Sequence, residues 1–251
     1  MNARDTLLLV VFPYVAVVVF IVGTAYRYRR MGFTVSSLSS QFLEGRALFW
    51  GTMLFHVGIL GLFLGHLIAF LVPGAILAWN SQPLRLLVLE ATGAIFGIAT
   101  LVGLAMLLLR RLTNSRIRAV TTRMDVALGL ILLVQLVLGV WIALGYRWGS
   151  TWFASDLAPY LWSLVRLSPE TEAVFVMPWV VKLHIVGAFL VLFMVPFTRL
   201  VHVIVAPLHY IVRPYQVVIW NWDRRTIRPG QESPGFTASE SHLSIPSGRR
   251  R

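Results

Sequence analysis

The chain has 251 residues, 57% of them hydrophobic and 13% charged, and a mean hydropathy of +0.76. These values are typical of a polytopic membrane protein and exclude an ordinary soluble domain. The absence of cysteine excludes disulfides, thiolate-bound zinc, iron–sulfur clusters and thioether-attached haem within this sequence. The formal net charge of +12 indicates basic inner-side loops that meet membrane lipid or acidic partners, and not nucleic acid.

In chain order, the apolar runs predict an all-α integral membrane protein, a bundle of five transmembrane helices. The predicted spans cover residues 6–26, 48–72, 84–109, 126–146 and 174–205. The mixed, aromatic residues 147–172 are predicted to lie along a membrane face, because tryptophan and tyrosine favour the headgroup zone. Residues 1–223 are predicted to form the membrane domain, and the basic, Ser-, Pro- and Gly-rich residues 224–251 a disordered tail.

The loop charges predict the orientation of the bundle. The loops after the first and third spans are rich in arginine: Arg27, Arg29, Arg30, Arg46, Arg110, Arg111, Arg116, Arg118 and Arg123. The other two loops hold few basic residues, and the fourth also carries acidic ones. The positive-inside rule therefore places the N-terminus outside and, after five spans, the C-terminus in the cytoplasm.

The second predicted span holds two histidines, His56 and His66, in a stretch without charge. Histidine within a membrane span is costly unless it has a partner, so each indicates a site. Ten residues of helix separate them by roughly 15 Å, too far for both to bind one metal ion. Glycines surround them at positions 51, 58, 61 and 65, and we expect these to leave room for a flat, broad ligand such as haem.

The fifth predicted span holds His184 and His202, eighteen residues or five helical turns apart, and therefore on one face. Because the two spans run in opposite directions, His56 pairs with His202 near the cytoplasmic side, and His66 with His184 near the outside. The distance along the helix axis is about 27 Å between His184 and His202 but about 15 Å between His56 and His66. Tilt of the helices or the bend at Pro196 must account for this difference. Two histidines at each depth, without a carboxylate or thiolate beside them, favour two haems over zinc.

Four stretches carry a resemblance to a known family: LFHVGILGLFLGH, RIRAVTT, the H-x17-H pair and PFTRLVH. From about residue 14 to residue 215 the chain resembles the gamma, or cytochrome b, subunit of membrane-bound respiratory nitrate reductase. The resemblance implies an inner-membrane subunit with two b-type haems ligated by the two histidine pairs, and a quinol site near the outer haem. It also implies electron delivery to an iron–sulfur beta subunit and a molybdenum-cofactor alpha subunit on the cytoplasmic side.

Further site residues follow from their depth in the predicted bundle. Arg111 and Arg199 lie near the depth of the inner haem and are candidates to pair its propionates. The family has a lysine at the start of its third span that is implicated in quinol binding, and Arg85 stands at that position here. Arg85 and Gly65 are therefore the candidate quinol residues at the outer surface.

Two alternatives stay open. The chain could be the equivalent haem b subunit of a nitrite oxidoreductase or of a sulfur-pathway menaquinol complex. It could also be a haem-free anchor or small transporter in which the histidines relay protons.

Overall fold

The structure is a computed structural model that describes residues 3–30 and 46–203; for Arg46, Ala47, Leu48 and Arg116 only the backbone is described. Every regular element in these ranges is helical, and five of the helices are long and apolar enough to cross a membrane. The prediction of an all-α fold with five helices that could span a membrane is therefore confirmed. The predicted tail, residues 224–251, lies outside the described residues.

The five long helices are α1 (Ala3–Arg30), α2 (Arg46–Leu71), α3 (Pro83–Thr113), α4 (Arg123–Gly145) and α5 (Trp179–Met194). Shorter helices lie at Pro73–Asn80, Ser115–Ala119, Gly149–Trp152, Ala158–Val165 and Glu172–Phe175. The helix α5 begins at Trp179, later than position 174 predicted from hydropathy. The reason is Pro178, which disfavours helical backbone in the residue before it.

The helices alternate in direction, so the described part of the bundle has two chemically distinct ends. The arginine-rich end holds the C-terminus of α1, the junction of α3 and α4, and the chain after α5, with Arg27, Arg111 and Arg199. The tryptophan-rich end holds the turn between α2 and α3 and residues 148–179. Its tryptophans are Trp79, Trp148, Trp152, Trp162 and Trp179. Side by side, the helices pack in the order α2, α3, α4, α5, α1.

Glycines bring α2 and α3 into close contact. A Cβ at Gly58 would collide with the Thr100 hydroxyl, and one at Gly61 would lie 2.7 Å from the Phe96 ring. On the opposite helix, a Cβ at Gly103 would collide with the backbone of Phe55. The expectation that Gly58 and Gly61 leave room for a flat ligand is therefore wrong, since α3 itself fills that space. Gly51 likewise packs against α3, whereas Gly65 does not.

The buried core lies at the tryptophan-rich end, between α1, α4, α5 and the helix Ala158–Val165. Its centre is Tyr160, which is 1% exposed and whose hydroxyl donates to the carbonyl oxygen of Leu9 at 2.6 Å. Leu9 lies in a π-helical turn of α1, Leu7–Val11. Burial raises the pKa of the Tyr160 hydroxyl, which keeps it protonated as a donor. This bond joins α1 to the segment that follows α4.

Residues 149–165 pack against the long helices at the tryptophan-rich end. They form two short helices joined by a π-helical turn, Phe153–Leu157, and contact the ends of α2 and α3. The Trp162 indole donates to the carbonyl oxygen of Phe70 at 2.8 Å, and its ring stacks on the Phe70 ring. The segment is thus packed onto the tryptophan-rich end of α2.

After Met194 the chain leaves the α-helical path. Val195–Phe197 and Arg199–Val203 are short 3-10 helices, and Thr198 between them has extended backbone. Pro196 cannot donate the hydrogen bond that would continue the helix. His202 therefore does not lie on a continuation of α5. The distance of about 27 Å expected between His184 and His202 on one straight helix does not apply.

Candidate functional site

At the arginine-rich end, His56 of α2 and His202 of the second 3-10 helix face each other. Their ring centroids are 6.4 Å apart and the ring planes are inclined at 61°. The Nδ1 atom of His56 lies 2.9 Å from the carbonyl oxygen of Thr52, and that of His202 lies 2.6 Å from the carbonyl oxygen of Arg199. A carbonyl oxygen can only accept, so Nδ1 carries the proton in both rings. Each Nε2 is therefore left with a lone pair that can bind a metal.

At the opposite end, His66 repeats the pattern of His56. Its Nδ1 donates to the carbonyl oxygen of Leu62 at 2.8 Å, which leaves Nε2 as the potential ligand atom. The ring of Phe153 packs edge-on against the His66 ring, with centroids 5.4 Å apart. Phe153 opens the π-helical turn of residues 153–157, so residues 149–165 shield one side of this histidine.

His184 lies in α5 and is held differently from the other three histidines. Its ring rests on Gly139 of α4, where a Cβ would lie 3.0 Å from the ring atom Cε1. The side-chain amide of Gln135, one turn earlier in α4, donates to the carbonyl oxygen of His184 at 2.9 Å. The Nδ1 atom of His184 is buried and has no hydrogen-bond partner among the described residues. His184 of α5 and His66 of α2 both lie toward the tryptophan-rich ends of their helices.

A polar contact ties residues 149–165 to α3 beside this second site. One carboxylate oxygen of Glu90 accepts from the backbone amide of Ser150 at 2.7 Å and from its hydroxyl at 2.6 Å. The Asn80 amide donates to the hydroxyl oxygens of Ser150 and Thr151, both at 3.0 Å. Ser150 precedes Phe153 by one turn, so these bonds also fix the ring that packs on His66.

The two candidate quinol residues lie at the tryptophan-rich end but do not touch each other in the structure. Arg85 is exposed, and its guanidinium lies over the Trp79 ring, 5.2 Å from the centroid. A Cβ at Gly65 would meet no described atom within 4 Å, and the same holds for Gly93 of α3. The contacts of Gly58 with Thr100 and of Gly61 with Phe96 set the antiparallel register, which places Gly65 and Gly93 at one level. Both glycines therefore border open space, and Gly65 is the neighbour of His66 in the sequence.

The two candidate propionate residues meet at one carboxylate. Arg111 Nη1 lies 3.4 Å from Asp125 Oδ2, and Arg199 Nε lies 3.2 Å from Asp125 Oδ1. Asp125 is fixed by a capping box with Thr122 at the start of α4. Arg199 uses only Nε in this pair, so both of its Nη groups remain available within the described part of the chain.

Sequence reasoning missed three residues that bond to the chain around His184 and His202: Arg27, Asp125 and Gln135. Two of them left a signal, because Thr122-x-x-Asp125 is a capping-box pattern and Gln135 is a polar residue within an apolar span. Arg27 left none, since an arginine at the end of a first span is ordinary topology-setting charge. Among the described residues, no three histidine or carboxylate side chains gather at one point.

Fold and site together define a class: an all-helical protein with five helices long and apolar enough to cross a membrane, in which histidines lie toward both ends of the bundle and two of them, His56 and His202, face each other. Comparisons with known proteins narrow this class. The family model described as "Nitrate reductase gamma subunit" matches residues 5–221. The chain belongs to the nitrate reductase gamma subunit family, and the resemblance seen in its motifs is confirmed.

Individual relatives match over most of their length. The respiratory nitrate reductase 2 gamma chain of Escherichia coli K12 is 38% identical over 83% of this chain and 93% of its own length. The nitrate reductase gamma chain of Bacillus subtilis is 33% identical over 82% and 94%. The respiratory nitrate reductase 1 gamma chain of E. coli K12 is 30% identical over 83% and 94%.

Proposed function

We propose that this chain is the di-haem b membrane subunit of a respiratory nitrate reductase. It oxidises quinol near the outer face and passes electrons inward to an iron–sulfur beta subunit and a molybdenum-cofactor alpha subunit. The observation that carries the proposal is the His56–His202 pair, because two imidazole rings face each other with free Nε2 atoms. His66 and His184, which lie toward the tryptophan-rich ends of α2 and α5, are the proposed ligands of the second haem.

The spacing of His56 and His202 suits one iron held between two imidazoles. The ring centroids are 6.4 Å apart, and His56 and His202 would be the residues that hold the iron, through their Nε2 atoms. Haem b, when bound, supplies reversible one-electron chemistry at its iron. The chain contributes the Nε2 ligands and the Nδ1–H bonds that fix the orientation and raise the basicity of each ring.

Charged residues at the arginine-rich end suit the propionates of a haem. Asp125 holds Arg199 through Nε and leaves its Nη groups as a fork for a carboxylate. Arg111, on the other side of Asp125, adds a second cation. Arg111 and Arg199 remain our candidates for the inner propionates, with Asp125 as the residue that positions them.

The quinol site is proposed at the tryptophan-rich end, beside His66. The open space at Gly65 and Gly93 admits a flat ring, and Arg85 can donate hydrogen bonds to a quinol oxygen. Phe153 and the stacked pair Phe70–Trp162 exclude water from one side. Oxidation releases two protons, and a site at the outer face discharges them to that side.

The arrangement in the membrane follows from charge. The positive-inside rule assigns the arginine-rich end to the cytoplasm. The chain then lies in the inner membrane with its N-terminus on the outer side. The same basic end then faces the soluble partner subunits, and complementary charge speeds their encounter.

One experiment tests the direction of electron flow. Quinol is added to the purified complex under anaerobic conditions while the b-haem absorbance is recorded, and nitrate is added afterwards. We expect quinol to reduce the haems and nitrate to reoxidise them. Reduction by nitrite but not by quinol would favour a nitrite oxidoreductase, and an absence of b-haem absorbance would overturn the proposal.

A further inference from the structure

The chain break before His202 lies against α1, a helix that carries no histidine. Pro196 interrupts α5, and the chain between Met194 and Arg199 cannot satisfy its carbonyl groups as a regular helix would. Arg27 of α1 lies opposite this break. Its Nη1 atom donates to the carbonyl oxygens of Pro196 at 2.9 Å and Thr198 at 2.7 Å. One guanidinium nitrogen thus satisfies two carbonyl groups within the break.

The contact between α1 and the break is close. One turn before Arg27, Gly23 lies directly on Pro196, where a Cβ would come within 2.9 Å of the proline ring. Such a distance requires a shift, so glycine lets the two backbones approach. The break is also closed from within, because the Thr198 hydroxyl donates to the carbonyl oxygen of Met194 at 2.9 Å.

The second 3-10 helix is held from its other side by α4. Arg199 pairs with Asp125, whose position is fixed by the Thr122 capping box. The carbonyl oxygen of the same Arg199 accepts from the His202 ring. The orientation of His202 therefore depends on a segment clamped between Arg27 and Asp125.

We propose that Arg27 is a positioning residue for the inner haem ligand: by bonding the carbonyl oxygens of Pro196 and Thr198, α1 sets His202 opposite His56. The inference rests on the proposed function, since it assumes that His56 and His202 share a haem. It assigns Arg27 a role beyond topology-setting charge. Arg29 and Arg30 lie at the same helix end and are exposed, so they carry the topological charge without this contact.

The test compares Arg27→Gln with Arg29→Gln and Arg30→Gln, which remove the same charge at the same helix end. Each variant is purified with its partner subunits, and the inner and outer haems are quantified by redox titration. We expect Arg27→Gln to weaken inner-haem retention about tenfold while the outer haem stays as in the wild type. Arg29→Gln and Arg30→Gln should match the wild type at both haems. Arg27→Lys, which keeps the charge but not the planar donor, should fall between.

A second readout does not depend on haem. Hydrogen exchange of peptides that cover residues 195–203 should be about tenfold faster in Arg27→Gln than in Arg29→Gln, because two bonds to a charged donor are lost. Gly23→Ala should act in the same direction, with Gly74→Ala as its control, since a Cβ at Gly74 meets no described atom within 4 Å.

The outcomes separate the two proposals. Equal exchange and equal inner-haem content in Arg27→Gln and Arg29→Gln would overturn the role of Arg27. Equal loss of both haems in Arg27→Gln would also overturn it, because Arg27 would then act on the whole chain. A wild-type complex without b-haem would refute the proposed function. The hydrogen-exchange rates would still test whether Arg27 fixes residues 195–203.

Discussion

Both pairs of histidines offer imidazole groups as ligands, but different interactions hold His202 and His184 in place. At the arginine-rich end, His202 lies outside the long helices on a short 3-10 turn, which charged side chains of α1 and α4 fix in place. At the tryptophan-rich end, His184 lies within α5 and is held mainly by close packing. Its ring packs on Gly139, and Gln135 donates a hydrogen bond to its carbonyl oxygen.

This difference predicts different sensitivities. A site held by charge and hydrogen bonds should respond to substitutions that remove a donor or acceptor and leave volume unchanged. A site held by close packing should respond to a single added methyl group, because protein interiors tolerate little overpacking. Four sets of variants test this difference between the two sites.

The largest effect is expected from the ligands. His56→Ala or His202→Ala should remove the inner haem alone, and His66→Ala or His184→Ala the outer one, because each haem loses half of its protein ligation. Redox titration of membranes should show one component missing in each variant. Loss of the same component in His56→Ala and His184→Ala would refute the antiparallel pairing.

Arg85→Ala should slow quinol-driven haem reduction about a hundredfold, because a charged donor to the reacting oxygen is lost. Both haem spectra and reduction by dithionite should be unchanged. Arg147→Ala is the control, since Arg147 is also an exposed arginine at the tryptophan-rich end. An unchanged rate of quinol-driven haem reduction in Arg85→Ala would show that the quinol site lies elsewhere. Arg85 would then serve only as a contact of Trp79.

Gly139→Ala should weaken binding of the outer haem about tenfold, because its methyl group would lie 3.0 Å from the His184 ring and turn the ligand. Gly97→Ala is the matched control, since its methyl group would meet Val140 at 3.4 Å, an ordinary contact. The inner haem should be retained in both variants. Equal outer-haem content in the two would show that packing does not hold His184.

Asp125→Asn should have the smallest effect, about 1 kcal/mol of stability, because it weakens the α4 cap and releases Arg111 and Arg199. The change should appear as reduced thermal stability and a shifted inner-haem potential. Asp5→Asn is the control at the other end, where Asp5 lies 3.7 Å from Lys182. A shift of the outer potential instead would contradict the assignment of Asp125 to the inner site.

The sequence was sufficient to predict the five helices, because apolar length is a strong local signal. Intramembrane histidine also singled out His56 and His202, whose rings lie 6.4 Å apart in the structure. It was not sufficient for the surroundings of these histidines. The contacts of Arg27 with Pro196 and Thr198 join residues about 170 positions apart, and no local pattern encodes such a pairing. The glycines of α2 show the opposite case: their pattern was visible, but the same smallness serves a ligand or a neighbouring helix equally well.

The haem content of the purified chain is the decisive measurement for the proposed function. We expect two haem b groups per chain, which titrate as two separate one-electron components. A single component, no haem, or a different bound metal would contradict it, whatever the effect of the variants.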